Sequence, residues 1–249
     1  MILGIDIGNT TISLSLIDED IVYNRKTDTF VQEDYRELFD SFFRDAEISK
    51  CRVERVVISC VVRPVVDKIA DSAARYFGWE PLVVSPDIET GLVFDIENVE
   101  SLGSDRIVVA SYAASRYGSF VITVDCGTAT TFNVIADNHF KGGVIATGIM
   151  TGLRALLDNT SQLPETEIIP AASVVGKNTV ECINNGVIYA NAAMIDGIAG
   201  RIEAEYGKEF SLVLTGGNAR FVQDYIKHPL IVDLHMIQKG MARLAVINN

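Results

Sequence analysis

Positive charge is scarce in this 249-residue chain: 21 lysines and arginines stand against 33 acidic residues, a formal net charge of -12. A field of that sign repels nucleic-acid phosphates and anionic lipid heads, so neither nucleic acid nor membrane is expected as a partner. No apolar run approaches the roughly 20 residues that span a bilayer. The opening Met1-Ile2-Leu3-Gly4-Ile5-Asp6 has neither the basic start nor the apolar core of a secretory signal, so a soluble cytoplasmic protein is expected. Cys51, Cys60, Cys126 and Cys182 show no CxxC pairing, and reduced, mostly buried thiols are expected. His139, His228 and His235 pair with no cysteine or acid at ligand spacing, which argues against a zinc site. Two nucleotide motifs are missing as well. No G-x-G-x-x-G follows a strand, and Gly176-Lys177-Asn178-Thr179 lacks both the upstream glycine and the Ser/Thr directly after lysine of a P-loop.

What is present is a core and a repeat. Apolar residues make up 48% of the chain, enough to fold without disulfides or structural metal. Asp6-Ile7-Gly8-Asn9-Thr10-Thr11 and Asp125-Cys126-Gly127-Thr128-Ala129-Thr130 share an Asp-x-Gly-x-x-Thr pattern, each between two apolar strand-like runs. That is the signature of a β-hairpin with an acid near its tip, and two copies predict a duplicated α/β chain with halves 1–117 and 118–249. Between the hairpins the patterning predicts helices over 34–44, 64–77 and 104–117, strands over 55–59 and 81–84, and a loop over 85–103. After the second hairpin it predicts a strand over 143–146, helices over 149–158 and 179–206, a strand over 212–214, and helices over 219–225 and 241–246. Gly186, Ala190, Ala193, Gly197 and Gly200 form a small-residue face on the long helix, which implies close packing within the chain or against a partner.

An aspartate at a strand end followed by a glycine turn gathers a carboxylate, backbone N–H groups and hydroxyls at one point. That set suits a magnesium-bound polyphosphate, although an ordinary hairpin turn accounts for either copy alone. Thr215-Gly216-Gly217-Asn218 delivers two glycines after a strand, either a nucleoside platform or a tight turn. Gly103-Ser104-Asp105-Arg106 opens a helix, with Ser104 as its expected N-cap and Asp105 complementing the positive helix end. Arg106 gains nothing from that end, and a carboxylate beside a guanidinium can accept a substrate proton while the guanidinium grips a substrate anion.

These motifs, with Gly142-Gly143-x-Ile145, resemble in order and spacing those of the type III pantothenate kinases over nearly the whole chain. The resemblance implies a duplicated actin-like (ribonuclease H-like) ATPase fold, two α/β domains around a central cleft, in a homodimer. It implies phosphorylation of pantothenate by ATP, the first step toward coenzyme A. By the same likeness Asp6, Ile7, Gly8, Asn9, Thr10, Thr11, Ile12, Ser13 and Thr128 would contact ATP, with Asp6 also holding magnesium through water. Gly103, Ser104, Asp105, Arg106 and Thr179 would bind pantothenate, Thr179 across the dimer. Asp105 would be the catalytic base, and Asp125 the ligand of a monovalent cation, potassium or ammonium. Ile96, Val99 and Thr147 depart from the family pattern at positions that bear on substrate fit. Two other readings stay open: a regulatory homologue that binds ligand without turnover, and a phosphohydrolase of the same superfold.

Overall fold

The computed structural model describes residues 1–160, 163–164 and 166–249, and it divides into two units, Met1–Ser115 with Met236–Asn249, and Arg116–His235. In the first unit β1 (Ile2–Ile7) pairs antiparallel with β2 (Thr11–Ile17) and parallel with β4 (Arg55–Cys60). Adding β3 (Ile21–Asp28) and β5 (Leu82–Val83) gives the order β3-β2-β1-β4-β5. The side chains alternate as a strand period requires. Leu3, Ile5 and Ile7 point to one face, into a core shared with Phe39 and Phe42 of α1 (Arg36–Ala46) and Val65 and Ile69 of α2 (Arg63–Phe77). Pro64 sits in the first turn of α2, where its missing N–H is harmless, and Gly78 ends that helix at φ 85°.

The other face lies under α3 (Ser104–Tyr117) and α6 (Met236–Ile247), where Val57, Ile107, Val108, Met241 and Leu244 form a second cluster. Gly240 lets α6 approach α3 closely: a Cβ there would stand 2.5 Å from Val108 Cγ1 and 2.6 Å from the Val108 carbonyl oxygen. That fit explains why α6 begins at Met236, ahead of the predicted 241, since burial outweighs the helix penalty of the glycine. Gly240→Ala should therefore destabilise the protein by about 1–3 kcal/mol despite its better helix propensity, readable as a lowered urea midpoint. The segment between β5 and α3 holds a two-residue strand, β6 (Val93–Phe94), and a 3₁₀ turn (Val99–Ser101), largely the predicted loop.

In the second unit β7 (Phe120–Cys126), β8 (Ala129–Ala136) and β9 (His139–Thr147) form an antiparallel meander. Beyond β7, β10 (Ser211–Thr215) and β11 (Leu230–Val232) add in parallel. Their order, β9-β8-β7-β10-β11, repeats that of the first sheet strand for strand, so the repeated hairpin motif marks a repeated topology. Ile122, Val124, Leu212 and Leu214 pack against Ile195, Ala199 and Ile202 of α5 (Thr179–Tyr206) and Ile149 of α4 (Ile149–Asp158). The helix predicted at 219–225 is instead two 3₁₀ turns, Ala219–Phe221 and Gln223–Tyr225, too short a stretch to repay a helical nucleus. The cysteines also differ from expectation: Cys126 is buried, Cys60 is intermediate, and Cys51 and Cys182 are exposed. Among the described residues no helix is long and apolar enough to cross a membrane.

Candidate active site

In the first unit the Asp6 turn is held from behind. The Gly8 N–H donates to the Thr11 carbonyl at 2.9 Å, while the Thr29 hydroxyl donates to the Gly8 carbonyl at 2.7 Å and the Thr29 N–H to the Thr10 carbonyl at 3.0 Å. Asn9, Thr10 and Thr11 are exposed at the tip, whereas Ile7 and Ile12 turn into the core and leave only their backbone for a ligand. Asp6 is paired in register with Ser13 on β2 and Ser59 on β4, so the three side chains form one row on the face away from Ile5 and Ile7. The Ser13 hydroxyl is buried and has no hydrogen-bond partner among the described residues, which leaves a donor beside Asp6.

From Ser59 the row continues into α3. Ser59 Oγ and Ser104 Oγ are 3.2 Å apart, both buried. The predicted N-cap role of Ser104 is thereby corrected: its hydroxyl bonds sideways to β4, and Gly103 occupies the cap, its carbonyl accepting from the N–H groups of Arg106 and Ile107 at 3.1 and 3.2 Å. Asp105 Oδ1 accepts the Arg106 N–H at 2.8 Å. A Cβ on Gly103 would lie 2.5 Å from that same oxygen, so the glycine makes room for the carboxylate to fold back over the helix start. Burial raises the Asp105 carboxyl above its ordinary value, against the opposing pull of the Arg106 N–H and guanidinium. Burial likewise lowers Arg106, with Asp105 opposing. A carboxylate whose solvation is weakened in this way is a better proton acceptor than a free one.

The second unit builds its hairpin more tightly. Gly127 N–H donates to the Ala129 carbonyl at 3.0 Å, leaving Thr128 exposed at the tip and Asp125 partly exposed at the end of β7. Two later segments grip this turn, the start of α4 and the Gly-Gly turn after β10. Asn218 donates from its backbone N–H to the Cys126 carbonyl at 3.0 Å and from Nδ2 to the Gly127 carbonyl at 3.1 Å. The Thr151 hydroxyl donates to the Thr128 carbonyl at 2.7 Å, and a side chain at Gly148 would collide with the carbonyls of Gly127 and Thr128. Gly216, at φ 89°, lies directly against Asp125 Oδ1 and the Cys126 backbone, so the Gly-Gly turn after β10 and the acidic hairpin are one packed assembly. The Cys126 thiol is pushed up to about 12, first by burial and then by the Asp125 charge, which makes it an inert packing group.

Thr179 is exposed at the first position of α5, behind the Asn178 N-cap, whose Oδ1 accepts the Glu181 N–H at 3.0 Å. Gly176 packs its backbone on this helix start, where a Cβ would be 2.5 Å from Cys182 N, so its lysine-threonine segment is a cap and cradles nothing in the manner of a P-loop. On the flank of α5, Gly186, Gly197 and Gly200 meet nothing within 4 Å, and Ala190 and Ala193 are exposed. Among the described residues, the predicted small-residue face is therefore left uncovered at these glycines.

The first unit thus brings together Asp6, Ser13, Gly103, Ser104, Asp105 and Arg106, while Asp125, Thr128 and Thr179 belong to the second. Ser59, Gly148, Thr151 and Asn218 escaped the sequence reading. A lone serine in an apolar strand carries no local signal, and the other three matter only because folding sets them against a distant hairpin.

Comparison with known proteins places these motifs in a lineage. The family model described as type III pantothenate kinase matches residues 2–201. A protein of Exiguobacterium sibiricum named type III pantothenate kinase is 37% identical over 246 residues, 97% of each chain. Among solved structures, a Baf family protein of Campylobacter jejuni superposes with a TM-score of 0.64 at 19% identity, covering 98% of this chain and 97% of that one. A ROK family glucokinase of Streptomyces griseus, solved with glucose and AMPPNP, gives 0.53 at 14% identity, covering 99% and 98%. The structural likeness shows the fold, a duplicated actin-like α/β architecture.

Proposed function

The chain belongs to the type III pantothenate kinase family, and on that premise we propose that it transfers the γ-phosphoryl group of ATP to the terminal hydroxyl of pantothenate, yielding 4'-phosphopantothenate for coenzyme A synthesis. The observation that carries this reading is the half-buried Asp105 carboxylate beside Arg106, tied through Ser104 and Ser59 to the strand row that contains Asp6. In this reading Asp105 orients the hydroxyl and accepts its proton as the oxygen attacks phosphorus, and the Arg106 guanidinium holds the substrate carboxylate. The exposed Gly8 to Thr11 turn and the Ser13 hydroxyl approach the triphosphate from residues 1–117. The Thr128 tip and the Gly216-Gly217 turn serve the nucleotide from residues 118–249.

A divalent cation accompanies ATP in kinase chemistry and would offset the charge of the triphosphate. The Asp6 carboxylate next to the unpartnered Ser13 hydroxyl offers oxygen donors of the right hardness. Among the described residues no three His, Cys, Asp or Glu side chains cluster to cage a metal, which fits an ion that keeps phosphate and water as most of its ligands. The Asp125 carboxylate in its tight turn fits a potassium or ammonium ion in the same sense. A cytoplasmic location accords with this chemistry.

The test is ADP formation by the purified protein with and without pantothenate. Acceptor-dependent ADP supports the kinase; phosphate released equally without acceptor identifies a phosphohydrolase; ligand binding without turnover identifies a regulatory homologue.

The uncovered face of α5 supports a homodimer formed through that helix, with Thr179 reaching the partner's substrate. Gly197→Glu places a bulky charge where helix backbones would meet. It should convert the protein to monomers by light scattering and raise the KM for pantothenate at least tenfold. A variant that stays dimeric would move the interface elsewhere.

A further inference from the structure

We propose that Ser59 is a positioning residue for the phosphoryl-transfer reaction, its hydroxyl fixing the start of α3 through Ser104 so that Asp105 is held in line with the Asp6 turn. The inference rests on the assignment of Asp105 as the base. Ser59 is the register partner of Asp6 on the neighbouring parallel strand, with full burial, and its hydroxyl meets Ser104 Oγ at 3.2 Å. Ser104 is the residue immediately before Asp105, at the first position of α3, where helix amides lack intrahelical partners. The cap residue, Gly103, has no side chain to anchor this end to the sheet, and the Asp105 carboxylate bonds back onto the helix's own Arg106 N–H. The strand-to-helix bond is therefore a side-chain link that transmits the register of β1 and β4 to the helix start. Two further contacts reinforce the strand side of this link: the Val61 N–H donates to the Ile7 carbonyl at 3.0 Å, and a Cβ on Gly103 would already touch Val61 Cγ1 at 3.4 Å.

A buried serine pair at this place has a chemical consequence that an apolar pair would lack. Both hydroxyls are buried and one donates to the other, so the distance between β4 and α3 is set by a directional bond in place of slack van der Waals contact. Near-attack geometry is sensitive to shifts of about 1 Å, and loosening the helix start moves the base without removing it.

Three variants test the proposal: Ser59→Ala, Ser104→Ala and the double. Each loses a single bond and adds no bulk, so all should fold. In the pantothenate-dependent assay, each single variant should lower kcat about 10- to 100-fold with KM for ATP changed less than threefold. The double should be no slower than the slower single, since both remove the same bond. Amide hydrogen exchange gives a readout independent of turnover: the N–H groups of Arg106 and Ile107 should exchange at least tenfold faster in Ser59→Ala, while those of β1 stay protected. Multiplicative losses of kcat in the double, or unchanged exchange at the α3 start, would overturn the positioning role. If the parent protein makes no pantothenate-dependent ADP, the kinase reading falls, and the exchange comparison still decides whether Ser59 anchors α3.

Discussion

Asp105→Asn should lower kcat by about 10²–10⁴-fold while the protein becomes more heat-stable at neutral pH. The two effects share one cause. Burial raises the Asp105 carboxyl in the folded chain, so the native state binds its proton more tightly than the unfolded chain does. The stability this group contributes is present below the ordinary carboxylate range and is lost as pH rises through its raised folded value. Asparagine keeps the shape and the acceptor for the Arg106 N–H, but carries no charge to desolvate. Thermal melts across pH should show a decline in Tm on the alkaline side of the carboxylate range for the parent that is smaller in the variant. Activity should run the opposite way, with kcat/KM rising as Asp105 ionises. Equal turnover in the variant would remove Asp105 from the role of base; identical pH slopes in the melts would show that its ionisation is not linked to folding.

Gly216→Ala is the second large effect expected, and it acts on the other unit. A residue with a Cβ at φ 89° is strained by about 1–3 kcal/mol, and here the added methyl would also press on Asp125 Oδ1 and the Cys126 backbone. A loss of about 3 kcal/mol or more should lower Tm by roughly 6–12 °C. The displaced Asp125 hairpin should take nucleotide binding with it, which isothermal titration with ADP would register. Gly217→Ala is the internal comparison: its Cβ meets nothing within 4 Å, so its stability should stay within about 0.5 kcal/mol of the parent. If the two alanine variants melted together, the close approach at Gly216 would not be what holds the turn.

Much of the architecture could be read residue by residue. The helices at Ser104–Tyr117, Ile149–Asp158 and Thr179–Tyr206 have the predicted bounds because their apolar spacing and flanking breakers agree. The paired Asp-x-Gly motifs announced a hairpin in each half, β1-β2 and β7-β8, since a strand-turn-strand signal is local. Readings failed where distant contacts decide. Ser104 looked like a cap because capping is a local habit, yet Ser59, far away in sequence, claims its hydroxyl. Likewise α6 extends past the predicted limit because Val108 rewards the close approach of Gly240.

What the amino-acid order determined alone was the set of chemical groups and the turns that carry them: two acidic hairpins, a Gly-Ser-Asp-Arg helix start and a long helix with a small-residue face. Local backbone preference and periodicity are enough to fix such pieces. Tertiary structure alone decided that Ser13, Asp6 and Ser59 share one row, that Ser104 hangs from it, and that Gly148, Thr151, Gly216 and Asn218 lock the Asp125 turn. Those relations depend on strand register and on packing between segments dozens of residues apart, and a desolvated carboxylate such as Asp105 exists only once that packing has excluded water.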